Sequence, residues 1–156
     1  MDFTERVYIT GGLAKAIKLL TLFFIGALGY GTMEVMTRGF THISMGLLGG
    51  LSFLFISCTS VLRRGGSVTL LQQLIVITLF ITTAELICGL IINLNLGLAI
   101  WDYTDMPLNF MGQICLPFSI LWFGISYLGI IVEEYVSRRI FKEHIAPLPV
   151  FRRAKA

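Results

Sequence analysis

Four long apolar runs constrain the fold of this chain more than any other feature of its sequence. An α-helix needs about 20 apolar residues to cross the hydrocarbon core of a bilayer. The predicted spans are residues 19–37, 45–62, 68–94 and 112–132. Because 56% of the 156 residues are hydrophobic and 13% are charged, a soluble fold would expose a large apolar surface to water. The sequence therefore predicts an all-α membrane protein whose four transmembrane helices form one domain over residues 1–135.

Lysine and arginine are distributed unevenly among the segments that flank these spans. The segment before the first span holds three, the Arg63-Arg64 turn holds two and residues 136–156 hold six. The two remaining loops together hold only Arg38. Because cytoplasmic segments collect positive charge, we expect both termini to be cytoplasmic and residues 101–109 to lie outside. This topology accounts for the net charge of +3, and we predict no nucleic-acid partner.

The last span and the segment after it carry two further signals. Pro117, near the start of the span, predicts a kink because proline removes a backbone hydrogen-bond donor. Residues 136–156 interleave basic side chains with apolar ones, and a basic amphipathic segment beside a span commonly lies along an anionic leaflet. We interpret residues 136–156 as a cytoplasmic tail on the bilayer surface, with a partner-docking segment as the alternative.

Two carboxylates lie deep within the predicted spans. Glu34 follows Lys18 by sixteen residues and Glu85 follows Thr69 by sixteen, which places each about 24 Å along its helix in a core about 30 Å thick. Charged groups at this depth are expected to be paired or protonated. Arg38, four residues after Glu34, predicts an ion pair within the first helix, and Arg38 is also the candidate partner for Glu85. A cation or proton site and a structural ion pair are both open for these two glutamates.

The surroundings of the two glutamates resemble each other. Thr32-Met33-Glu34 is echoed by Thr83-Ala84-Glu85, and each is followed by an aromatic-Thr pair and then by Met-Gly at the entry to the next span. Parallel repeats place equivalent residues at one depth in the membrane. One interpretation of the four spans is therefore two tandem helical hairpins.

A polar and aromatic segment, residues 101–109, separates the third and fourth spans. Tryptophan and tyrosine are common in interfacial belts, and proline and asparagine are common in turns. Their concentration above two buried carboxylates nevertheless indicates a ligand or ion site at the outer mouth of the bundle. Asn109 and Gln113 are expected to hydrogen-bond into that mouth. The candidate site residues are Glu34, Arg38, His42, Glu85, Trp101, Asp102, Tyr103, Asn109 and Gln113.

Standard catalytic and cofactor motifs do not occur in the sequence. It contains no Gly-x-x-x-x-Gly-Lys-Ser/Thr loop, no His-Glu-x-x-His and no Gly-x-Ser-x-Gly, so we assign no catalytic residue and no cofactor. His42 together with the acidic side chains is chemically suited to a divalent cation, but the spacing is not diagnostic and we assign no metal.

Several short motifs together resemble a known family. They are Arg38-Gly39-x-Thr41-His42-x-Ser44-Met45, Gly49-Gly50, Glu85 before Gly89, and Trp101-Asp102-Tyr103 with Pro107, Asn109 and Gly112-Gln113-Ile114-Cys115-Leu116. Over residues 20–135 the chain resembles the bacterial family of ABC-transporter type IV membrane proteins. The resemblance implies a multi-pass protein of the bacterial cytoplasmic membrane with a permease-like role.

These observations lead to one main hypothesis for the function. We expect a transport-associated or permease-like protein with a polar ion- or ligand-binding site in the outer half of its bundle. Because four spans enclose little space, we expect a homo-oligomer or additional membrane subunits in the lipid bilayer, with a separate ATPase subunit as a further partner. The alternatives are an integral membrane enzyme that uses Glu34 or Glu85 as a general base, and a structural or pore-forming assembly protein.

Overall fold

The computed structural model describes residues 3–143 and 145, with side chains described from residue 11 onward. The helices are α1 (Phe3–Arg38), α2 (Ile43–Arg64), α3 (Leu70–Gly89) and α4 (Leu116–Tyr135), with π-helical turns at Leu90–Asn95 and Val136–Ile140. Two short strands, β1 (Asn109–Phe110) and β2 (Ile114–Cys115), pair antiparallel just before α4. The predicted all-α fold class is confirmed.

Four helical segments are long and apolar enough to cross a membrane. They are Gly11–Arg38, Ile43–Arg64, Leu70–Asn95 and Leu116–Ile140. The predicted start of the first span, residue 19, falls inside α1, because nothing between residues 3 and 19 stops the helix. The predicted start of the fourth span, residue 112, falls in the β-hairpin, so the helix begins later than expected. The direction in which the bundle crosses the membrane stays a prediction.

Local signals set the helix ends. Gly39 has φ +81°, a conformation that ends α1 because residues with a side chain rarely adopt it. The backbone N–H of Ser44 donates to the His42 ring at 3.3 Å, which caps α2. Thr69 and Gln72 form a reciprocal capping box at the start of α3, and this satisfies two backbone donors that the helix leaves open.

Pro117 does not kink the fourth span, so that prediction is wrong. Cys115 is the N-cap of α4, and Pro117 therefore lies in the first turn of the helix. Backbone N–H groups in the first turn have no partner within the helix, and a proline there removes nothing that the helix needs.

The first two helices pack closely through glycines. A Cβ atom on Gly49 would lie 2.6 Å from the carbonyl oxygen of Gly26, so the two backbones are nearly in contact. Small residues allow such approaches between membrane helices. The centre of the bundle is an apolar cluster contributed by α2, α3 and α4: Ile56, Leu74, Ile77, Ile81, Trp122 and Ile130.

Four charged side chains form a buried network at the end of the bundle that carries the Arg63-Arg64 turn, here called the turn end. Glu133 is fully buried, and the Nη2 atom of Arg64 lies 2.7 Å from each of its carboxylate oxygens. Arg63 pairs with Glu134, which is also buried. These pairs join the end of α2 to the end of α4. The sequence pattern did not predict this network.

The network extends to α1, to α3 and to the segment after α4. Lys18 Nζ donates to Glu143 Oε1 at 2.7 Å. Gln73 is buried, accepts a hydrogen bond from Arg63 Nε at 2.6 Å and donates to Ser60 Oγ at 2.9 Å. The described part of the predicted tail is therefore attached to the bundle. Residues 144 and 146–156 lie outside the described residues, and the leaflet contact of the tail stays a prediction.

Candidate ligand-binding site at the loop end

The opposite end of the bundle, here called the loop end, carries the loop of residues 96–115. Glu34, the first of the two carboxylates predicted to lie within the spans, is also at this end. Glu34 is buried and pairs with Arg38, as the sequence predicted. Its second oxygen accepts a hydrogen bond from Thr41 Oγ1 at 2.8 Å. Arg38 also donates through Nη1 to the carbonyl oxygen of Ile100 at 2.7 Å. One ion pair thus ties α1 to both loops at this end.

Glu85 lies on α3 and is 2% exposed. Its Oε1 accepts from the Tyr103 hydroxyl at 3.1 Å, and its Oε2 accepts from Trp122 Nε1 at 3.0 Å. The predicted partner, Arg38, makes its hydrogen bonds to Glu34 and to the backbone instead, so that prediction is wrong. Trp122 is not among the predicted site residues. Its one sequence signal is an indole N–H in an apolar span, because such a group needs a hydrogen-bond partner when it is buried.

Tyr103 is the loop residue that reaches this carboxylate. Its ring stacks on Phe118 of α4 with centroids 4.7 Å apart. Burial, together with the nearby Glu85 carboxylate, raises the pKa of the Tyr103 phenol above its usual value. The phenol is therefore protonated at neutral pH and available to donate a hydrogen bond.

Three polar side chains fix the path of the loop. Asn93 Oδ1 accepts from the backbone N–H of Ile100 at 2.8 Å, and its Nδ2 lies 2.8 Å from Gln113 Oε1 and 2.9 Å from the Trp101 carbonyl oxygen. Trp101 Nε1 donates to the carbonyl oxygen of Gln113 at 2.9 Å. Asn93, Trp101 and Gln113 are all buried. These bonds hold the loop against the end of α3.

Asn109 and Asp102 stabilise the turn within the loop. Asn109 Nδ2 donates to the carbonyl oxygens of Thr104 at 3.0 Å and Met106 at 2.9 Å, and its Oδ1 accepts from the Gly112 N–H at 3.2 Å. Asp102 Oδ1 accepts from the Thr104 N–H at 2.9 Å. Side chains of this kind commonly shape turns. Asn109 and the Oδ1 atom of Asp102 thus bond within the loop.

His42 lies apart from the other candidates. Its Nδ1 is 2.8 Å from Ser44 Oγ at the start of α2, and it lines a separate groove between α1 and α2. Within the described part of the chain, no group of three His, Cys, Asp or Glu side chains is placed to hold a metal ion.

A cavity of about 530 Å³ opens at the loop end, and we call it the mouth cavity. Six aromatic residues line it: Tyr30, Phe40, Trp101, Tyr103, Phe118 and Trp122. Its polar lining residues are Glu34, Thr37, Arg38 and Asp102. Of the predicted site residues, five line the cavity: Glu34, Arg38, Trp101, Asp102 and Tyr103. Glu85 is hydrogen-bonded to two lining residues, whereas His42, Asn109 and Gln113 lie outside the lining.

Comparison with known proteins gives one match. A family model described as "Putative ABC-transporter type IV" matches residues 28–150. No curated protein and no solved structure matches the chain. The family match covers most of the sequence, including the C-terminal part of the first span, the other three spans and the loop. The chain therefore belongs to the family of ABC-transporter type IV membrane proteins, and it is a transport-associated membrane protein.

Proposed function

We propose that this protein is a permease-like membrane subunit that binds a cation or a cationic group in the mouth cavity, on the outer side of a bacterial cytoplasmic membrane. The observation that carries the proposal is the lining of that cavity. Aromatic side chains line the cavity together with Asp102, an acidic residue whose charge no described basic residue neutralises. Pockets of this size with a few polar groups are typical of small-molecule sites.

The charge balance of the lining favours a cation. Glu34 and Arg38 neutralise each other as an ion pair. Asp102 is exposed and takes part in no ion pair among the described residues. The remaining charge is therefore negative, and aromatic faces add attraction for a positive charge.

The aromatic side chains that line the mouth cavity are held by contacts with one another and with Arg38. Tyr30 stacks on Trp122 with centroids 5.3 Å apart, and the guanidinium carbon of Arg38 lies 5.0 Å from the centroid of the Phe40 ring. Glu85 holds Tyr103 and Trp122 through its two hydrogen bonds. We infer that Glu85 orients these rings toward a cation.

A transport cycle requires more than this one chain encloses. We propose that several copies, or this chain with other membrane subunits, form the complete path. We also propose that a separate ATPase subunit binds on the cytoplasmic side. A pull-down of tagged protein in mild detergent, followed by mass spectrometry, tests this assembly. Recovery of a stoichiometric ATPase supports it, and a pure homo-oligomer contradicts the ATPase part.

A binding experiment tests the site itself. We expect tetramethylammonium to produce a saturable change in tryptophan emission of the purified protein, since Trp101 and Trp122 both line the cavity. Asp102→Asn should weaken binding about fivefold, equivalent to the ~1 kcal/mol of a partly exposed charge pair. Asparagine keeps the oxygen that accepts from Thr104, so the turn is retained.

Asp105→Asn is the matched control, because Asp105 is exposed in the same loop and does not line the cavity. Equal affinity for tetramethylammonium in the Asp102 and Asp105 variants would contradict the assignment of Asp102. No saturable response in the unmodified protein would contradict the proposed cation site.

A further inference from the structure

A second cavity adjoins the mouth cavity inside the bundle. It measures about 270 Å³, is lined by residues of all four helices, and we call it the slot. Tyr30, Met33 and Trp122 line both the slot and the mouth cavity. The two cavities therefore meet at these three residues, with a polar aromatic chamber at the loop end and an apolar space between the helices.

The slot is lined almost entirely by apolar groups. Its lining includes the aliphatic side chains of Ile25, Ile56, Ile81 and Ile125. Ser126 is 1% exposed, and its hydroxyl has no hydrogen-bond partner among the described residues. A buried hydroxyl without a partner is uncommon. It gives the slot one polar atom that a bound molecule can satisfy.

We propose that the natural ligand is a single-chain amphiphile with a cationic head group. The head group binds in the mouth cavity beside Asp102, and the chain lies in the slot between α1 and α4. This inference rests on the proposed function, because the head group is the cation assigned to the mouth cavity. It adds the apolar part of the ligand and the place where that part binds.

The shapes and charges of the two cavities select this class of molecule. A small hydrated cation fits the mouth cavity but leaves the apolar slot unoccupied. A slot of about 270 Å³ has room for one alkyl chain and not for two side by side. An anionic head group would face Asp102, whose charge no described residue neutralises. A cationic head with one chain satisfies both cavities.

Two glycines provide a matched pair of variants. Gly29 lines the slot, and a Cβ atom built on it meets no atom within 4 Å. Gly29→Phe therefore places a side chain at the slot without a backbone clash. Gly124 on α4 is equally open but does not line the slot. Gly124→Phe makes the same chemical change elsewhere, with the same gain in helix propensity.

The probe is dodecyltrimethylammonium with a photoreactive diazirine in the middle of its chain, added to the protein in nanodiscs. A dodecyl sulfate with the same diazirine is the head-group control. We expect saturable cross-links in the segments around Gly29 and Ser126, located by peptide mass spectrometry. Gly29→Phe should reduce them at least fivefold, Asp102→Asn should reduce them severalfold, and Gly124→Phe should leave them unchanged.

Each other outcome overturns a stated part of the reasoning. Equal labelling by the sulfate probe would mean that the slot accepts any bilayer lipid chain, and unchanged labelling in Gly29→Phe would mean that the chain lies elsewhere. Either result refutes the amphiphile, whereas a tetramethylammonium response that Asp102→Asn weakens would leave the cation site standing. If the unmodified protein shows no tetramethylammonium response, both the cation site and the amphiphile are refuted.

Discussion

Removing Arg64 tests how the buried charges at the turn end contribute to stability. Glu133 is 0% exposed, and Arg64 contacts both of its oxygens at 2.7 Å. In Arg64→Met the carboxylate keeps Ser137 Oγ at 2.8 Å and Lys18 Nζ at 3.8 Å. Breaking a buried pair by removing one partner costs about 3–5 kcal/mol. Because Lys18 stays nearby, we expect a loss of about 3 kcal/mol in the free energy of unfolding.

The assay is unfolding of the purified protein in mixed micelles by a dodecyl sulfate titration, followed through its helical content. Arg139→Met is the matched control, since Arg139 is exposed and no ion pair of it occurs among the described residues. Substitutions of this kind usually change stability by less than about 0.5 kcal/mol. A loss in Arg64→Met no larger than that of the control would refute the reasoning.

The double variant Arg64→Met with Glu133→Met measures how much the ion pair contributes to the free energy of unfolding. It separates this contribution from the cost of leaving one charge buried without its partner. Replacing both ions by apolar side chains of similar volume is often neutral or stabilising. We expect the double variant to be more stable than either single variant, with a coupling energy of at least about 1.5 kcal/mol. Losses that simply add would show that the two side chains act independently.

Three further predictions concern other parts of the structure. Asn93→Leu removes the three hydrogen bonds that the Asn93 side chain makes to the loop and should cost about 2–4 kcal/mol, whereas the exposed Asn95→Leu should cost little; thermal unfolding of both variants checks this. Gly49→Leu should prevent close packing of the first two helices and lower the yield of folded protein in size-exclusion chromatography, while Gly124→Leu should not, since only Gly49 has backbone within contact distance. Folding raises the pKa of Tyr103, so the contribution of its phenol to stability is complete below about pH 10 and is lost as the pH rises further. Phenylalanine has no proton to lose. The thermal midpoint of Tyr103→Phe should therefore fall less between pH 9 and pH 11 than that of the unmodified protein.

Much of the fold could be predicted because it depends on local sequence. Apolar runs of sufficient length specify four spans whatever their neighbours are. The start of α4 could not be predicted in the same way. The hairpin before it depends on Leu108, Met111 and Gly112, which adopt φ of +52°, +53° and +67°. Because two of these residues are not glycine, nothing in the local sequence indicates their left-handed conformation or the delayed start of the helix.

The site shows the same division between local and distant contacts. Glu34 and Arg38 lie one helical turn apart, and their ion pair followed from that spacing. Glu85 takes its two donors from residues 18 and 37 positions away. No periodicity of α3 indicates which aromatic side chains reach it. Arg64 and Glu133 are 69 positions apart, and the network at the turn end was missed for the same reason.

The two ends of the bundle differ in how their charges are compensated. At the turn end, Arg63 and Arg64 each meet a buried glutamate, and these pairs join α2 to α4. At the loop end, Glu85 is held by neutral donors and Asp102 meets no described cation. Buried charges are costly unless they are paired. The charges at the turn end pair with one another, so we assign them a structural role. The negative charge of Asp102 is left over at the loop end, and a positively charged ligand would neutralise it.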